Sequence, residues 1–321
     1  MKCFCLVVNW GFVLATDNFK CHNCAVCNGK GCLGELPGMG GVREGENFIL
    51  NVEGWKTTRE MLSEIPDFPH DEKMLKGGKI PDGILRLAPI TGAVENIGFG
   101  EEVPYYKKMI EACWKAGFKL SIGDGCPDEK LLSGIEAVRS LQEESPNAKA
   151  AVFIKPYPDD KFYERMDWAD GVAEVIGVDI DSYNIITMRN LVQLEKKSAE
   201  QLKAIRARTK LPFAIKGIFT QEDVQLVRDV KPDNAYISNH GGRVDTRRGS
   251  TAEFLLQYEK VLKQNCGELW IDGGIRTIED IRTALSLGAS QVLMGRPLIT
   301  ALCYNGEEGV AKKFKEFSDT N

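Results

Sequence analysis

The sequence predicts an α/β protein whose main part is one (β/α)8 barrel, the TIM-barrel fold, preceded by a Cys- and Gly-rich N-terminal extension. Eight short apolar runs follow one another from residue 83 onward, and a helical pattern follows each of them, which is typical of this barrel. Such a barrel takes about 250 residues, and the chain has 321. We therefore predict a barrel over residues 83–321 and an extension over residues 1–82 that packs on it.

Each element is predicted from its own residues. The helix over residues 103–116 carries apolar side chains at a spacing of three to four, and Thr220 and Thr277 begin two later helices as capping residues. Short apolar runs bounded by turn-forming or polar residues predict the strands. In chain order the strands are Ile84–Ala88, Lys119–Ile122, Ala150–Ile154, Ala173–Val178, Phe213–Lys216, Ala235–Ser238, Leu269–Asp272 and Gln291–Met294.

The composition of the chain excludes several classes of protein. A formal net charge of −5 argues against nucleic acid as a partner, and no apolar run reaches the length of a membrane span. The 10 cysteines do not form the framework of a small secreted protein, because a chain of this size has its own core. We therefore predict a reducing, cytoplasmic setting.

Ionisable side chains follow four of the predicted strands. Lys216, His240, Asp272 and Arg296 stand at or just beyond strand ends on the C-terminal side, where the active sites of such barrels lie. An imidazole can act as a base near neutral pH. Arg243 follows His240 across two glycines, and its guanidinium can bind a carboxylate through two hydrogen bonds. The pattern predicts an acid–base site that binds a flat, carboxylate-bearing ligand.

A phosphate site is predicted beside it. Gly273 and Gly274 follow the seventh strand, and Gly295 and Arg296 follow the eighth, where loop N–H groups and a helix start receive phosphate in many barrels. Arg276 adds positive charge. The alternative is a tight turn at the glycines and a surface ion pair at Arg296, but their position on adjacent strands favours phosphate.

Four segments in this order resemble the second half of the FMN-dependent α-hydroxy-acid oxidase and dehydrogenase family, which includes glycolate oxidase and lactate oxidase. They are Leu211–Gly217, Ser238–Arg243, Leu269–Arg276 and Gln291–Pro297. The resemblance implies that FMN oxidises a small 2-hydroxy acid to the 2-oxo acid, with O2 or another electron acceptor reoxidising the flavin. It also implies a homo-oligomer.

The resemblance assigns roles to individual residues. His240 corresponds to the general base, Asp179 to the carboxylate that orients it, and Arg243 to the group that binds the substrate carboxylate. Lys216 corresponds to the lysine that stabilises the reduced ring. The alternatives are a helix N-cap for Asp179, a structural salt bridge for Arg243 and a solvent-reaching lysine for Lys216. The remaining cofactor contacts implied are Ala88, Pro89, Gly123, Ser238 and Asp272 around the flavin, and Gly273, Gly274, Arg276, Gly295 and Arg296 at its phosphate.

The chain departs from the family pattern where the family binds its substrate. Lys155 stands in place of a substrate-binding tyrosine at the end of the third strand, with Tyr157 two residues later. A second family tyrosine is absent from the corresponding stretch, Glu35–Gly41, and the segment between Asp179 and Lys216 is short. We therefore predict that Lys155 contacts the substrate, which is an acid of the lactate or glycolate type. The alternatives are a different acid and a substrate that is not a simple 2-hydroxy acid.

The N-terminal cysteines Cys21, Cys24, Cys27 and Cys32 have a spacing that suits an iron–sulfur cluster or a Zn²⁺ ion, with reduced thiols as the alternative. Three other functions remain open at this point. They are an FMN barrel of another reaction type, such as an isopentenyl diphosphate isomerase, an electron-transfer module with flavin and a cluster, and a barrel without activity.

Overall fold

Eight parallel strands form a barrel in the computed structural model, which describes residues 46–65, 68–92, 101–184, 192–244 and 246–318. From β2 to β8 each strand pairs with the next one in the chain, and β1 pairs with β8. Two backbone hydrogen bonds of 2.9 and 3.0 Å join Lys119 to Leu87 and Leu85 and close the gap between β1 and β2. The strands are β1 Leu85–Leu87, β2 Leu120–Gly123, β3 Ala150–Ile154, β4 Ala173–Asp179, β5 Phe213–Ile218, β6 Asn234–Ile237, β7 Glu268–Ile271 and β8 Gln291–Met294. The predicted (β/α)8 barrel is confirmed.

The helices alternate with the strands, as right-handed crossovers between parallel strands require. Capping boxes begin α6, α7 and α9 at Ser198, Thr220 and Thr277, the last two as predicted. The helices are α1 Glu46–Glu64, α2 Glu72–Leu75, α3 Glu102–Ala116, α4 Glu129–Glu144, α5 Asp159–Trp168, α6 Ala199–Arg208, α7 Gln221–Val230, α8 Thr251–Lys263, α9 Ile278–Ser286 and α10 Arg296–Ser318. Among the helices in these ranges, none combines the length and apolarity needed to cross a bilayer.

Strand ends differ from the prediction by one or two residues. The largest difference is at β5, which continues past Lys216 to Ile218, with a shift of register against β6 around Gly217. A charged residue marks the predicted end of that strand, but Lys216 is buried and its side chain points into the barrel among other charges. Ser238 and Asp272 were predicted as strand residues and lie just beyond β6 and β7.

The barrel interior is filled by side chains from all levels of the sheet. Its apolar cluster consists of Ala88, Ala151, Phe153, Val175, Ala214, Tyr236, Trp270 and Leu293. Near the N-terminal ends of the strands, the Arg86 guanidinium lies 4.7 Å from the Trp270 ring centre and donates to the Leu120 carbonyl at 2.6 Å. An ion pair of 2.8 Å with Glu174 balances its charge. The side chains of Arg86 and Trp270 therefore fill the interior near the N-terminal ends of the strands.

Helix α1 lies across that C-terminal end. The Trp55 indole donates to the Gly273 carbonyl at 2.8 Å, and the side chains of Asn51 and Asn239 exchange hydrogen bonds of 2.7 and 3.2 Å. Because α1 precedes residue 83, it falls within the proposed extension. Cys21, Cys24, Cys27, Cys32 and the stretch Glu35–Gly41 lie outside the described residues.

Candidate active site

Three predicted site residues meet at the C-terminal end of the barrel. The register of β4 and β5 pairs Asp179 with Lys216 directly, and the Lys216 ammonium lies 2.7 Å from Asp179 Oδ1. His240 Nε2 lies 2.9 Å from Asp179 Oδ2 and 3.2 Å from Lys216 Nζ. Asp179 therefore contacts both basic groups and does not cap a helix.

A short 3-10 turn over His240–Gly242 presents the imidazole. His240 itself has a φ of 53°, a left-handed conformation rare for residues other than glycine. The Asn239 side chain accepts a hydrogen bond of 2.9 Å from the Gly242 N–H and so holds the turn. Arg243 follows on the same turn and is half-buried. The turn therefore carries the imidazole and the guanidinium together, as the sequence predicted.

A second carboxylate that the sequence analysis missed lies on the other side of the imidazole. Asp181 Oδ2 is 2.9 Å from His240 Nδ1, and the Asp181 side chain is buried. Asp181 stands two residues beyond Asp179, which is the spacing that places two strand side chains on one face. That spacing was the available signal, although β4 ends at Asp179.

Lys155 is buried at the end of β3, and its ammonium lies 3.7 Å from Asp179 Oδ2. Its backbone N–H donates to Asp124, which is paired in turn with the fully buried Arg165 at 3.2 Å. Tyr157 does not join the cluster, because its hydroxyl donates to the Gly125 carbonyl at 3.4 Å. The structure therefore brings Lys155, and not Tyr157, to the charged cluster.

Charges inside the cluster set its ionisation. Burial opposes the charged form of Asp179, but the charges of His240, Lys216 and Lys155 outweigh burial and hold the pKa of Asp179 well below its usual value. Burial disfavours the Lys216 ammonium, yet the charges of Asp179, Asp181 and Asp272 raise the pKa of Lys216. Burial likewise opposes a charged His240, and Asp179 and Asp181 more than offset it, so the pKa of His240 is raised. The opposite charges of Asp179, Lys216 and His240 therefore favour one another's ionised forms.

Asp272 and Ser238 lie beside this cluster at the ends of β7 and β6. Asp272 accepts a hydrogen bond of 2.6 Å from the Tyr236 hydroxyl. Burial raises the pKa of Asp272, against the opposing effect of the Lys216 charge. The buried Ser238 hydroxyl accepts a hydrogen bond of 3.3 Å from the backbone N–H of His240. Both residues thus support the cluster from within the barrel.

The predicted phosphate residues lie on neighbouring loops. Gly273 and Gly274 have φ values of 95° and 79°, and a Cβ on Gly274 would overlap the backbone of Asn51 in α1. Arg276 precedes α9 and donates to the Ile275 carbonyl at 2.9 Å. Arg296 begins α10 directly after Gly295, donates to the Gly241 carbonyl at 3.2 Å and lies over the Phe48 ring. Two guanidiniums and two helix starts therefore share one side of the barrel mouth.

The loop after β1 forms another side. Ala88 belongs to the interior cluster with Tyr236, over whose ring the Lys216 ammonium lies at 5.5 Å. A Cβ on Gly123 would overlap the Pro89 carbonyl, so the glycine allows this loop to pack closely on the end of β2. The structure therefore packs Pro89 against Gly123 and places Ala88 in one apolar cluster with Tyr236; their predicted contact with the flavin stays a prediction.

The sequence of the chain matches one known protein family. The family described as FMN-dependent dehydrogenase matches residues 150–319, which is more than half of the chain. The chain belongs to the FMN-dependent dehydrogenase family. The matched part of this FMN-dependent dehydrogenase family member contains the charged cluster at the barrel mouth, which consists of Lys155, Asp179, Asp181, Lys216 and His240.

Curated relatives match a shorter segment. A 2-hydroxyacid oxidase 2 of Bos taurus is 39% identical over 111 residues, which cover 35% of this chain and 31% of the relative. A peroxisomal (S)-2-hydroxyacid oxidase of Arabidopsis thaliana is 38% identical over 115 residues, covering 36% and 31%. The chain thus matches about a third of the length of these relatives. A solved structure of a mandelate oxidase variant with a monooxide FMN adduct has a TM-score of 0.61 at 24% identity, covering 85% of this chain and 84% of that one, which supports the fold.

The residues present fit FMN. Lys216 offers a buried ammonium at one side of the mouth, and Arg276 and Arg296 offer two guanidiniums beside the starts of α9 and α10, which suit an anionic phosphate. Asp179, Asp181 and His240 also offer atoms within 4.8 Å of one another, a spacing that a metal ion could use. We assign no metal to them, because Lys216 already supplies the cation that contacts Asp179.

Proposed function

We propose that this chain is an FMN-dependent enzyme that oxidises a small 2-hydroxy acid, of the lactate or glycolate type, to the 2-oxo acid. The observation that carries the proposal is the contact of His240 with Asp179 and Lys216 at the barrel mouth, at 2.9 and 3.2 Å. FMN, when bound, supplies the acceptor for the two electrons that leave the substrate. The cofactor-binding roles of the residues at the β1 loop and the phosphate loops belong to the same proposal.

His240 accepts a proton from the substrate in this proposal. The proton comes from the α-hydroxyl or the α-carbon, and the imidazolium that results lies between carboxylates that stabilise its charge. Arg243 binds the substrate carboxylate from the same turn. Since the imidazole and the guanidinium are carried by one rigid turn, the substrate is held at a fixed position relative to the base.

Lys216 acts electrostatically. Its ammonium is buried, and it is held by Asp179 in one position. A fixed charge in a water-poor site stabilises negative charge on a neighbouring ring more strongly than the same charge in water does. Lys155 adds a second buried ammonium on the β3 side, and we propose that it contacts the substrate where the family uses a tyrosine.

The partners of the enzyme belong to the proposal as well. The electron acceptor is O2 or another oxidant, and the chain forms a homo-oligomer. A cytoplasmic location stays a prediction, as does an iron–sulfur cluster or Zn²⁺ at the N-terminal cysteines. Iron, zinc and acid-labile sulfide analysis of the purified protein tests the last point directly.

Anaerobic flavin reduction tests the function. Purified protein is mixed with lactate, glycolate or mandelate, and the loss of flavin absorbance is followed. We expect one of these acids to bleach the flavin, and we expect His240→Ala to retain the flavin but to bleach at a rate lower by about 10²–10⁴-fold. Flavin-loaded protein that no 2-hydroxy acid bleaches contradicts the proposed substrate class.

A further inference from the structure

We propose that Asp181 is a positioning residue that holds the Nδ1 proton of His240, so that Nε2 is the nitrogen that exchanges protons with the substrate. The choice of Nε2 as the base rests on the proposed function. The hydrogen bond between Asp181 and Nδ1 does not depend on the proposed function, because it is present in the protein without substrate. The sequence resemblance assigned the orienting role to Asp179 alone.

The geometry separates the roles of the two carboxylates. Asp181 Oδ2 faces Nδ1 at 2.9 Å, and Asp179 Oδ2 faces Nε2 at the same distance. An ionised carboxylate only accepts hydrogen bonds, so an imidazole between two of them is most stable when both nitrogens carry protons. When one proton leaves, the neutral ring keeps its remaining proton on the nitrogen that has no other hydrogen-bond donor beside it.

Lys216 decides which proton leaves. Its ammonium lies 3.2 Å from Nε2 and can donate to a lone pair on that nitrogen. A neutral ring with its proton on Nδ1 therefore satisfies Asp181 and Lys216 at once. Its Nε2 lone pair also faces Asp179 Oδ2, but the Lys216 ammonium pairs with that carboxylate at 2.7 Å and offsets its charge. The opposite tautomer would place the Nδ1 lone pair against the Asp181 carboxylate and a proton against the Lys216 ammonium. In the proposed reaction one proton moves from the substrate to Nε2, while the other proton stays on Nδ1 and is donated to Asp181.

Space for Asp181 is made by a glycine. Gly217 has a φ of 98°, and a Cβ there would overlap Asp181 Oδ1. The side chain is therefore packed against the backbone of β5 at the register shift, and it is buried. A carboxylate held in this way has one orientation toward the imidazole, which distinguishes it from an exposed loop aspartate.

Several other charged groups lie around His240 and influence its titration. Asp179 and, through it, Lys155 lie on the β4 and β3 sides, Lys216 lies on β5, and Asp272 lies on β7. Helix α1 also packs against the turn, where it presents Asn47, Phe48 and Asn51, which do not titrate. Asp181 is the group among them that contacts Nδ1.

Histidine NMR of the FMN-loaded protein tests the proposal without any substrate. The chain has 3 histidines, so ¹⁵N-labelled histidine gives a spectrum in which His240→Asn identifies the signal of His240. We compare the wild type with Asp181→Asn, which keeps the shape and removes the charge. Asp167→Asn, which removes one charge from the exposed end of α5, is the matched control.

We expect His240 to titrate at lower pH in Asp181→Asn than in the wild type and the control. We also expect the neutral ring of the wild type to carry its proton on Nδ1, and the Asp181→Asn ring to lose that preference. Unchanged titration and an unchanged tautomer in Asp181→Asn overturn the proposal. Asp181→Ser supplies the same comparison if the Asn variant does not fold. The NMR experiment contains no substrate, so its outcome is independent of the proposed function. If the His240 signal changes as expected but no hydroxy acid bleaches the flavin, only the proposed function is contradicted.

Discussion

Replacing Lys216 by methionine tests whether the buried cluster is charged. At 2.7 Å and an effective dielectric constant of about 20, the attraction between Lys216 and Asp179 is roughly 6 kcal/mol before desolvation is counted. Removing one partner leaves a buried carboxylate that His240 and Lys155 compensate only in part. We expect Lys216→Met to lower the free energy of unfolding by about 3–5 kcal/mol, the usual effect of breaking a buried pair.

Lys197 provides a matched control away from the barrel mouth. Its side chain is fully buried, and its ammonium lies 2.6 Å from both Asp159 and Glu195. Those carboxylates are 41% and 36% exposed, so water can replace the lost ammonium. We expect Lys197→Met to lower the free energy of unfolding by roughly 1–2 kcal/mol and to leave flavin reduction unchanged.

Urea unfolding at neutral pH measures both variants, and anaerobic mixing measures flavin reduction. We expect Lys216→Met to reduce the flavin about 10²-fold more slowly than the wild type, because a fixed charge beside the ring is lost. The difference in free energy of unfolding between the wild type and Lys216→Met should become smaller at acid pH. Asp179 has a lowered pKa when folded, so its contribution is present above the unfolded value and is lost as pH falls through the folded one. A Lys216→Met protein no less stable than Lys197→Met refutes the charged cluster.

Three further predictions concern other parts of the molecule. Because the pKa of His240 is raised, its neutral base form accumulates only above the ordinary histidine pKa near 6.5. The rate of flavin reduction by a hydroxy acid should therefore rise with pH through the neutral range. A rate that falls with pH in this range contradicts the role of His240 as a base. Arg296→Met should weaken FMN binding by about 10–100-fold, as loss of a charged hydrogen bond does, measured by fluorescence titration of the flavin-free protein; unchanged affinity excludes Arg296 from the phosphate site. Arg165→Met should lower the free energy of unfolding by about 3–5 kcal/mol at pH 7, because it leaves Asp124 buried without its partner. The loss should be smaller at pH 5, since burial already raises the pKa of Asp124. Equal losses at both pH values contradict a charged Asp124–Arg165 pair.

The barrel was predictable because each strand is a continuous apolar run between polar turns. Such runs are buried on both faces, so they are visible without any knowledge of pairing. The ends of the strands were less certain, as β5 illustrates. A lysine normally ends a buried strand, and only the neighbouring strands supply the carboxylates that allow Lys216 to stay inside.

The site was predictable only as far as its separate motifs. His240, Asp179 and Lys216 could be named from the sequence, but their contacts depend on the register between β4 and β5, which no local pattern encodes. Asp181 was missed although it stands two residues beyond Asp179, because it lies outside the predicted strand. Taken alone, an aspartate beyond a strand is an ordinary loop residue, and its contact with His240 exists only because Gly217 leaves room on the next strand.

The Arg86 side chain closes one end of the barrel interior. Its guanidinium is held by Glu174, Leu120 and Trp270 at the far end of the strands, which fills that end within the part of the chain the structure describes. In the proposed reaction, acid, keto product and oxidant would then all pass through the C-terminal end. A departing product would obstruct the arrival of the oxidant, and high concentrations of acid would compete with reoxidation.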